Sequence, residues 1–530
     1  MIEYPNVTNL ASQDAPGEVT VDILIVGSGA GGGIAAEILS RSGLNVLIVE
    51  EGPLRTAKDF KLNEKQAYAE LYQEVAARQT VDKSIQILQG RCVGGSTTVN
   101  WTSSFRTPEK TLAYWQTQFG LSAFSRETLD PWFDWAEKRL NIATWQVPPN
   151  RNNQSLADGA ARLGWSFQTM ARNVKGCANL GYCGTGCPLN AKQSMLVSCI
   201  PTALNLGAQL FTRARVEQLI LQQGRVQGAW ISRLDRQGQA TAQKAIRVRA
   251  KHTILAAGAI GSPAILLRSE LSQLNRQIGS RTFLHPVTAS IARMPHQIDG
   301  FQGAPQSIYS DQFLWRDGVS GELGYKIEVP PLHPLLASTL LRHHGERHYQ
   351  MMQDFPYFQA NLALLRDGFH EKSIGGQVSL DSYGYPQLDY PISDVLWRGF
   401  QHAMLRMTEI QFAAGAEKVY PLHMDASYYL RWSEAQAAIN GLTREKIRWQ
   451  IMSAHVMGGC TLGETEQNSV CNPQGEVHGL AGLSVMDGSL FPTSLGVNPQ
   501  LSIYAIVAKL ATQLAAALKA DIPEELAQRL

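Results

Sequence analysis

The sequence predicts an α/β protein: a Rossmann-like nucleotide-binding domain interleaved with an α+β domain built on an antiparallel sheet. Three observations carry that prediction. Residues 21–26, VDILIV, read as a short buried strand, followed by a glycine-rich turn, a helical pattern and a second strand at 44–50, LNVLIVE. Residues 300–440 hold no nucleotide motif, and within them GGQVSLDSYGYPQLDY (375–390) alternates and turns like a hairpin suited to a sheet over the cofactor. Hydrophobic residues make up 44% of the 530, ample for a large core, whereas charged residues reach only 17%, below the usual value of about 25%.

The first strand–helix–strand unit is specific about its ligand. Gly27-x-Gly29-x-x-Gly32 closes the first crossing, and Glu50 ends the second strand 18 residues after Gly32. Gly27 permits a tight turn, Gly29 lets the backbone approach a pyrophosphate, and Gly32 lets helix and strand pack closely. Free N–H groups at the helix start suit a phosphate, and a carboxylate at Glu50 can accept from a ribose. The turn alone does not separate NAD from FAD.

Charge and cysteine usage limit the alternatives. A net charge of +2 gives no basic field for nucleic acid. The first residues show neither a basic head with an apolar core nor a twin arginine, and no run approaches 18 uninterrupted apolar residues, so neither a signal peptide nor a transmembrane segment is predicted. Seven cysteines, an odd and sparse set, suggest reduced thiols in a cytoplasm.

Four further segments follow the glycine turn. They are 90–100 (GRCVGGSTTVN), 256–263 (AAGAIGSP), 453–460 (SAHVMGGC), and Asp487-Gly488-Ser489 running on to Gly496-Val497-Asn498-Pro499-Gln500. With that turn, they resemble the glucose–methanol–choline (GMC) family of FAD-dependent oxidoreductases, in the family's order and over nearly the whole chain. The resemblance implies FAD. It places Arg91, Gly94, Gly95, Ser96 and Asn100 along the flavin, with the two glycines letting the main chain lie flat on the ring. Val99 stands where some members carry a flavin-linking histidine, so the FAD is expected to be non-covalent. Val216, Ala257, Gly258, Asp487 and Pro499 complete the expected cofactor set.

His455, in His-x-x-Gly-x-Cys, resembles the family's catalytic histidine. A neutral imidazole can take an alcohol's proton near neutral pH while hydride leaves the carbon, so His455 is the expected general base. Asn498 occupies the second catalytic position, where its amide can hold the substrate oxygen. Asn498-Pro499 also reads as a helix start, Asn at the N-cap and Pro at the first position. His285, in FLHP, is read as structural.

The implied reaction is oxidation of an alcohol to an aldehyde or ketone. Few charges and many Leu, Met and aromatic residues in 101–145 and 328–356 favour a hydrophobic alcohol, and the latter segment resembles long-chain alcohol oxidases. The alternatives are a sugar or polyol dehydrogenase with an iron–sulfur relay, and a non-redox flavin lyase or photodecarboxylase. Cys177, Cys183 and Cys187, at spacings of six and four before Pro188, suit an iron–sulfur cluster, another metal, or plain thiols or a disulfide. The electron acceptor is oxygen, a quinone or a cytochrome. With a cluster, a small partner subunit carrying an export signal would place the enzyme in the periplasm. The expected division is 18–110, 195–295 and 445–530 for FAD, 111–194 for a cysteine-containing lid, and 296–444 for substrate.

Overall fold

The computed structural model describes residues 2–530. Two eight-stranded sheets organise the chain. At the centre of the first lie β1 (Glu18–Val26) and, beyond helix α1 (Ala30–Arg41), β2 (Val46–Glu50), with β3 (Ile246–Leu255) on the other side of β1. All three run parallel. Ile23, Leu24 and Ile25 are wholly buried, which is why these strands read as continuous apolar runs rather than alternating ones. Beyond β2 come the parallel strands Gln209–Thr212 and Val7–Asn9. Beyond β3, Arg225–Arg233 and Ala214–Gln222 are antiparallel, and Leu483–Val485 also pairs with β3.

Helix α2 (Gly258–Arg268) begins inside the segment 256–263, which is a turn only as far as Ala257. The second sheet is mostly antiparallel. Its central strands are β4 (Val287–Arg293) and β5 (Phe358–Leu365), paired from Val287 opposite Leu364 to Arg293 opposite Phe358. Alternation gives β4 two faces. Ser290 turns toward helix α3 (Asp394–Ala413), where its hydroxyl donates to Gln411 at 2.7 Å, while Val287, Ala289 and Ile291 face the other way.

This sheet does not respect the division expected from sequence. Ile85–Ile87, β4 and Ile451–Ser453 fall in segments assigned to FAD, and Gln168–Thr169 falls in the expected lid, yet all four belong to the sheet that includes Ile308–Ser310 and Tyr325–Glu328. Periodicity marks a strand but not its partner, and these partners lie far away in sequence. The hairpin forms as Gln377–Leu380 with Pro386–Asp389, but it is a separate two-stranded ribbon outside the large sheet.

The last long helix, α4 (Gln500–Ala517), packs against α1. It is long and apolar enough to cross a bilayer, but 78% of it is buried within the fold, as befits a core helix. Its N-cap is Pro499, not Asn498, and no side chain caps it.

Candidate active site

A cavity of about 990 Å³ lies between the two sheets. Its nucleotide end is built from glycines pressed against backbone. A Cβ on Gly27 would lie 2.3 Å from Ala256 O, one on Gly31 1.7 Å from Met486 O, and one on Gly32 1.9 Å from Gly27 O. Gly32 therefore packs helix on strand and does not reach the cavity. Gly31 makes the same kind of contact and escaped notice in the sequence because it sits at an "x" of the motif. Gly29 is the N-cap of α1, has no side chain to occupy the helix N–H groups, and faces open space beside Gly95. An anion fits there.

Glu50 is buried at the end of β2. Its Oε2 accepts from Ser28 N (3.1 Å) and Ser28 Oγ (2.6 Å), and its Oε1 from Gly52 N (2.8 Å). Burial pushes its carboxyl up, against these donors. Asp487 is held alike by Gly258 N (2.8 Å), Ser262 Oγ (2.6 Å) and the Ser489 N–H (2.8 Å), joining α2 to the segment after Leu483–Val485. Ala257, Gly258 and Val216 line the cavity nearby. Arg91 also reaches it, with its guanidinium on Glu51 at 2.7 Å.

One expected flavin contact is corrected. Gly94 does not face the cavity: its N–H donates to Ser28 Oγ at 3.0 Å, and a Cβ there would meet Thr98 and Leu196. Gly95 lines the cavity, as expected, and packs against the glycine turn, where an added Cβ would be 2.8 Å from Gly29 Cα. Asn100 lines the cavity, but its Nδ2 donates to Gln500 Oε1 (2.7 Å) and its Oδ1 accepts from Thr102 N (3.3 Å). It thus ties the 90–100 segment to the start of α4. Ser96 lines the cavity and accepts from Gly90 N (3.0 Å). Val99 offers no nucleophile for a covalent link.

His455, Asn498 and Pro499 meet at the other end, with the N-terminus of α4 bordering the same space. Burial pushes the His455 imidazole down to about 4, so it is neutral at neutral pH. His285, read as structural, stands against His455. Its Nδ1 lies 3.0 Å from His455 Nδ1, the rings at 85°, and its Nε2 accepts from Gly496 N–H at 3.0 Å. Asn498 does not cap α4; its Nδ2 donates to Glu328 Oε2 at 3.4 Å, and its Oδ1 is buried without a protein partner. Glu328 is fully buried and also accepts from Gln306 Nε2 at 2.7 Å. Burial pushes its carboxyl up to about 7. Nothing in the sequence marks Glu328, because its importance comes from the strand Tyr325–Glu328 ending behind Asn498. His285 had one signal, its place before Pro286 in FLHP.

The donor set fits a dinucleotide cofactor: open N–H groups at a helix start, a buried carboxylate at a strand end, and the unpartnered Oδ1 of Asn498 beyond them. The thiols do not fit a cluster. Among the described residues, no group of three or more His, Cys, Asp or Glu is placed to hold a metal ion. The Cys177 thiol accepts from Asn179 N (3.4 Å), Cys183 Sγ accepts from Arg172 (3.6 Å), and Lys192 donates to Cys183 O (2.7 Å). The sulfurs of Cys177 and Cys183 are each turned to a partner of their own, and all seven cysteines are free.

Comparison with known proteins decides the family. One family model described as GMC oxidoreductase matches residues 68–287, and a second of the same description matches 372–507. The chain belongs to the GMC oxidoreductase family. Among GMC relatives, an uncharacterised GMC-type oxidoreductase of Sinorhizobium fredii is 27% identical over 498 residues, covering 93% of this chain and 94% of that protein. A long-chain-alcohol oxidase of Arabidopsis thaliana is 29% identical over 526 residues, covering 94% of this chain and 69% of that protein. A formate oxidase structure from Aspergillus oryzae superposes with a TM-score of 0.72 at 16% identity, covering 95% of this chain and all of that one, and shows the shared fold. GMC oxidoreductases, the formate oxidase among them, bind FAD. The chain is thus an oxidoreductase of a family whose named relatives here include alcohol oxidases.

Proposed function

We propose that this GMC oxidoreductase oxidises the hydroxyl of a long-chain or otherwise apolar alcohol to an aldehyde or ketone, with non-covalently held FAD. One observation carries the substrate class. From His455 and Asn498 the cavity runs along the apolar face of the antiparallel sheet, Val287 and Ile291 on β4 beside Leu362 and Leu364 on β5. The helix Pro334–Leu340 roofs it with Leu336 and Leu340. Burying alkyl carbons against such a wall gains about 0.8 kcal/mol per methylene, whereas a polyol would strand hydroxyls there. The long-chain-alcohol oxidases among the relatives favour the same class.

The chain's residues divide the work. The glycine turn, Glu50 and Asp487 hold the dinucleotide. The sheet and roof exclude water and orient the chain of the alcohol. His455 and Asn498 engage its hydroxyl. When bound, FAD supplies the two-electron acceptor for the hydride leaving carbon. A base role for His455 at its cavity nitrogen places the ring proton on Nδ1, which lies 3.0 Å from His285 Nδ1.

The test is anaerobic mixing of the purified yellow protein with aliphatic, terpene, sterol and sugar alcohols, following flavin absorbance. Bleaching by aliphatic alcohols and none by sugars is expected. Bleaching by sugars alone would overturn the substrate class, and turnover with the flavin staying oxidised would point to a lyase.

A further inference from the structure

The apolar face of the second sheet has a definite length. β4 and β5 present three rungs to the cavity: Val287 opposite Leu364, Ala289 opposite Leu362, and Ile291 opposite Ala360. The first rung stands at the reactive end, because Val287 also pairs with Met452 and the His285 N–H donates to His455 O at 3.3 Å. From Val287 to Ile291 the strand advances four residues, about 14 Å at about 3.4 Å each. An extended alkyl chain advances about 1.25 Å per carbon, since its bonds of about 1.5 Å zigzag. A chain of about eleven carbons therefore spans the three rungs.

The far end is closed. The next rung on the same face is Arg293 opposite Phe358, and neither borders the cavity. Phe358 is wholly buried, and its ring meets that of Phe355 edge-on with centroids 6.3 Å apart. Met351, from the helix Gly345–Gln353, packs into the same apolar cluster. Arg293 pairs with Asp354 at 2.9 Å, so charge lies beyond the aromatic plug. In the middle of the wall, Ala289 has the smallest side chain of the three that β4 presents, and Ala337 in the roof helix lines the same space.

We propose that this wall is a blind alkyl channel that measures the substrate, with Ala289 keeping it open and Phe358 as its stop, so that chains gain binding up to about eleven carbons and none beyond. Each methylene laid on the wall tightens binding by about fourfold, and the gain ends where the chain meets the Phe358 ring. A carbon past that point has to displace a buried aromatic or bend the chain back on itself, and either move forfeits packing. The assignment of the near end to a hydroxyl rests on the alcohol-oxidation reading; the channel and its stop rest on the sheet.

The test titrates the FAD-loaded protein by calorimetry with 2-methyl-2-alkanols of increasing chain length, which cannot be oxidised, beside kcat/KM for the matching primary alcohols. Affinity and efficiency should both climb by about fourfold per carbon and break at about eleven carbons. A break below about eight carbons or above about fourteen, or no break, overturns the proposal. Ala289→Leu should move the break down to about five carbons, one rung from the reactive end. Phe358→Ala should move it up by about as many, because the plug is then hollow. The position of the break is read, not the absolute rate, so a general loss of activity does not imitate it. An unmoved break in either folded variant overturns the role of that residue, and if one variant does not fold, the native series and the other variant decide. Should no primary alcohol bleach the flavin while the tertiary series keeps its break, the functional reading fails and the channel stands. Bleaching with no dependence on length in either series overturns the channel and leaves the reaction.

Discussion

His455 and Glu328 show how burial and partners decide what a residue type can do. His455→Ala removes the imidazole that lines the reactive end of the cavity. Flavin reduction should slow by at least ~100-fold, with FAD content unchanged, in anaerobic stopped flow. Glu328 makes a separate prediction about stability. Its carboxyl is raised from 4.5 to about 7 by burial. The native state therefore binds its proton more readily than the unfolded chain, and this contribution to stability is fully present below pH 4.5 and lost as pH rises through 7. Replacing it with Gln removes the buried charge. Glu328→Gln should be more stable than the native protein at pH 8, by roughly 3 kcal/mol at most, with the advantage gone by pH 4.5. Thermal unfolding across that range checks it, and a difference that does not vary with pH would contradict the assignment. His455 was legible in the sequence because its motif is local. Glu328 was not, because an isolated Glu in a strand reads as surface until the strand's neighbours are known.

At the scale of elements, the glycine turn and the roof helix make opposite demands. Backbone at 1.9 Å cannot give way for a Cβ on Gly32, so Gly32→Ala should abolish FAD retention or folding. Gly17→Ala, where a Cβ meets nothing within 4 Å, should leave both intact. FAD absorbance per protein and the melting temperature read the difference. The roof helix Pro334–Leu340 has no cap from its own segment; instead Glu64, from a helix far away in sequence, accepts from Leu335 N (2.7 Å) and Leu336 N (2.9 Å). Losing those bonds costs about 1–3 kcal/mol locally. Glu64→Ala should raise KM for long-chain alcohols several-fold, with kcat much less affected; an equal loss in both would place Glu64 nearer the chemistry than the structure does. Both strands of the first βαβ unit and its helix could be read from periodicity and glycines. Asn498-Pro499 misled by one position because a good N-cap sequence was diverted to Glu328, and a tertiary hydrogen bond outweighed a local one.

Across the whole molecule, two sheets from interleaved stretches of chain enclose one cavity, its polar end at the first sheet and its apolar wall on the second. Catalytic efficiency should therefore rise with alkyl chain length by a few-fold per methylene until the wall is filled, and then level off. Efficiency independent of length across a C4–C14 series would mean the apolar face does not hold substrate. The sequence by itself determined the nucleotide turn, the carboxylate at Glu50, the histidine and asparagine of the reactive end and the apolar bias of the substrate region. The turn, the carboxylate and the apolar bias are written in short-range spacing and composition, while the histidine and asparagine come from the resemblance of their motifs to the family's. Only the tertiary structure decided which strands share the second sheet, that the three thiols form no metal-holding group among the described residues, and that His285 and Glu328 stand behind His455 and Asn498. Those outcomes depend on contacts between residues tens to hundreds of positions apart, and no local pattern along the chain encodes such a contact.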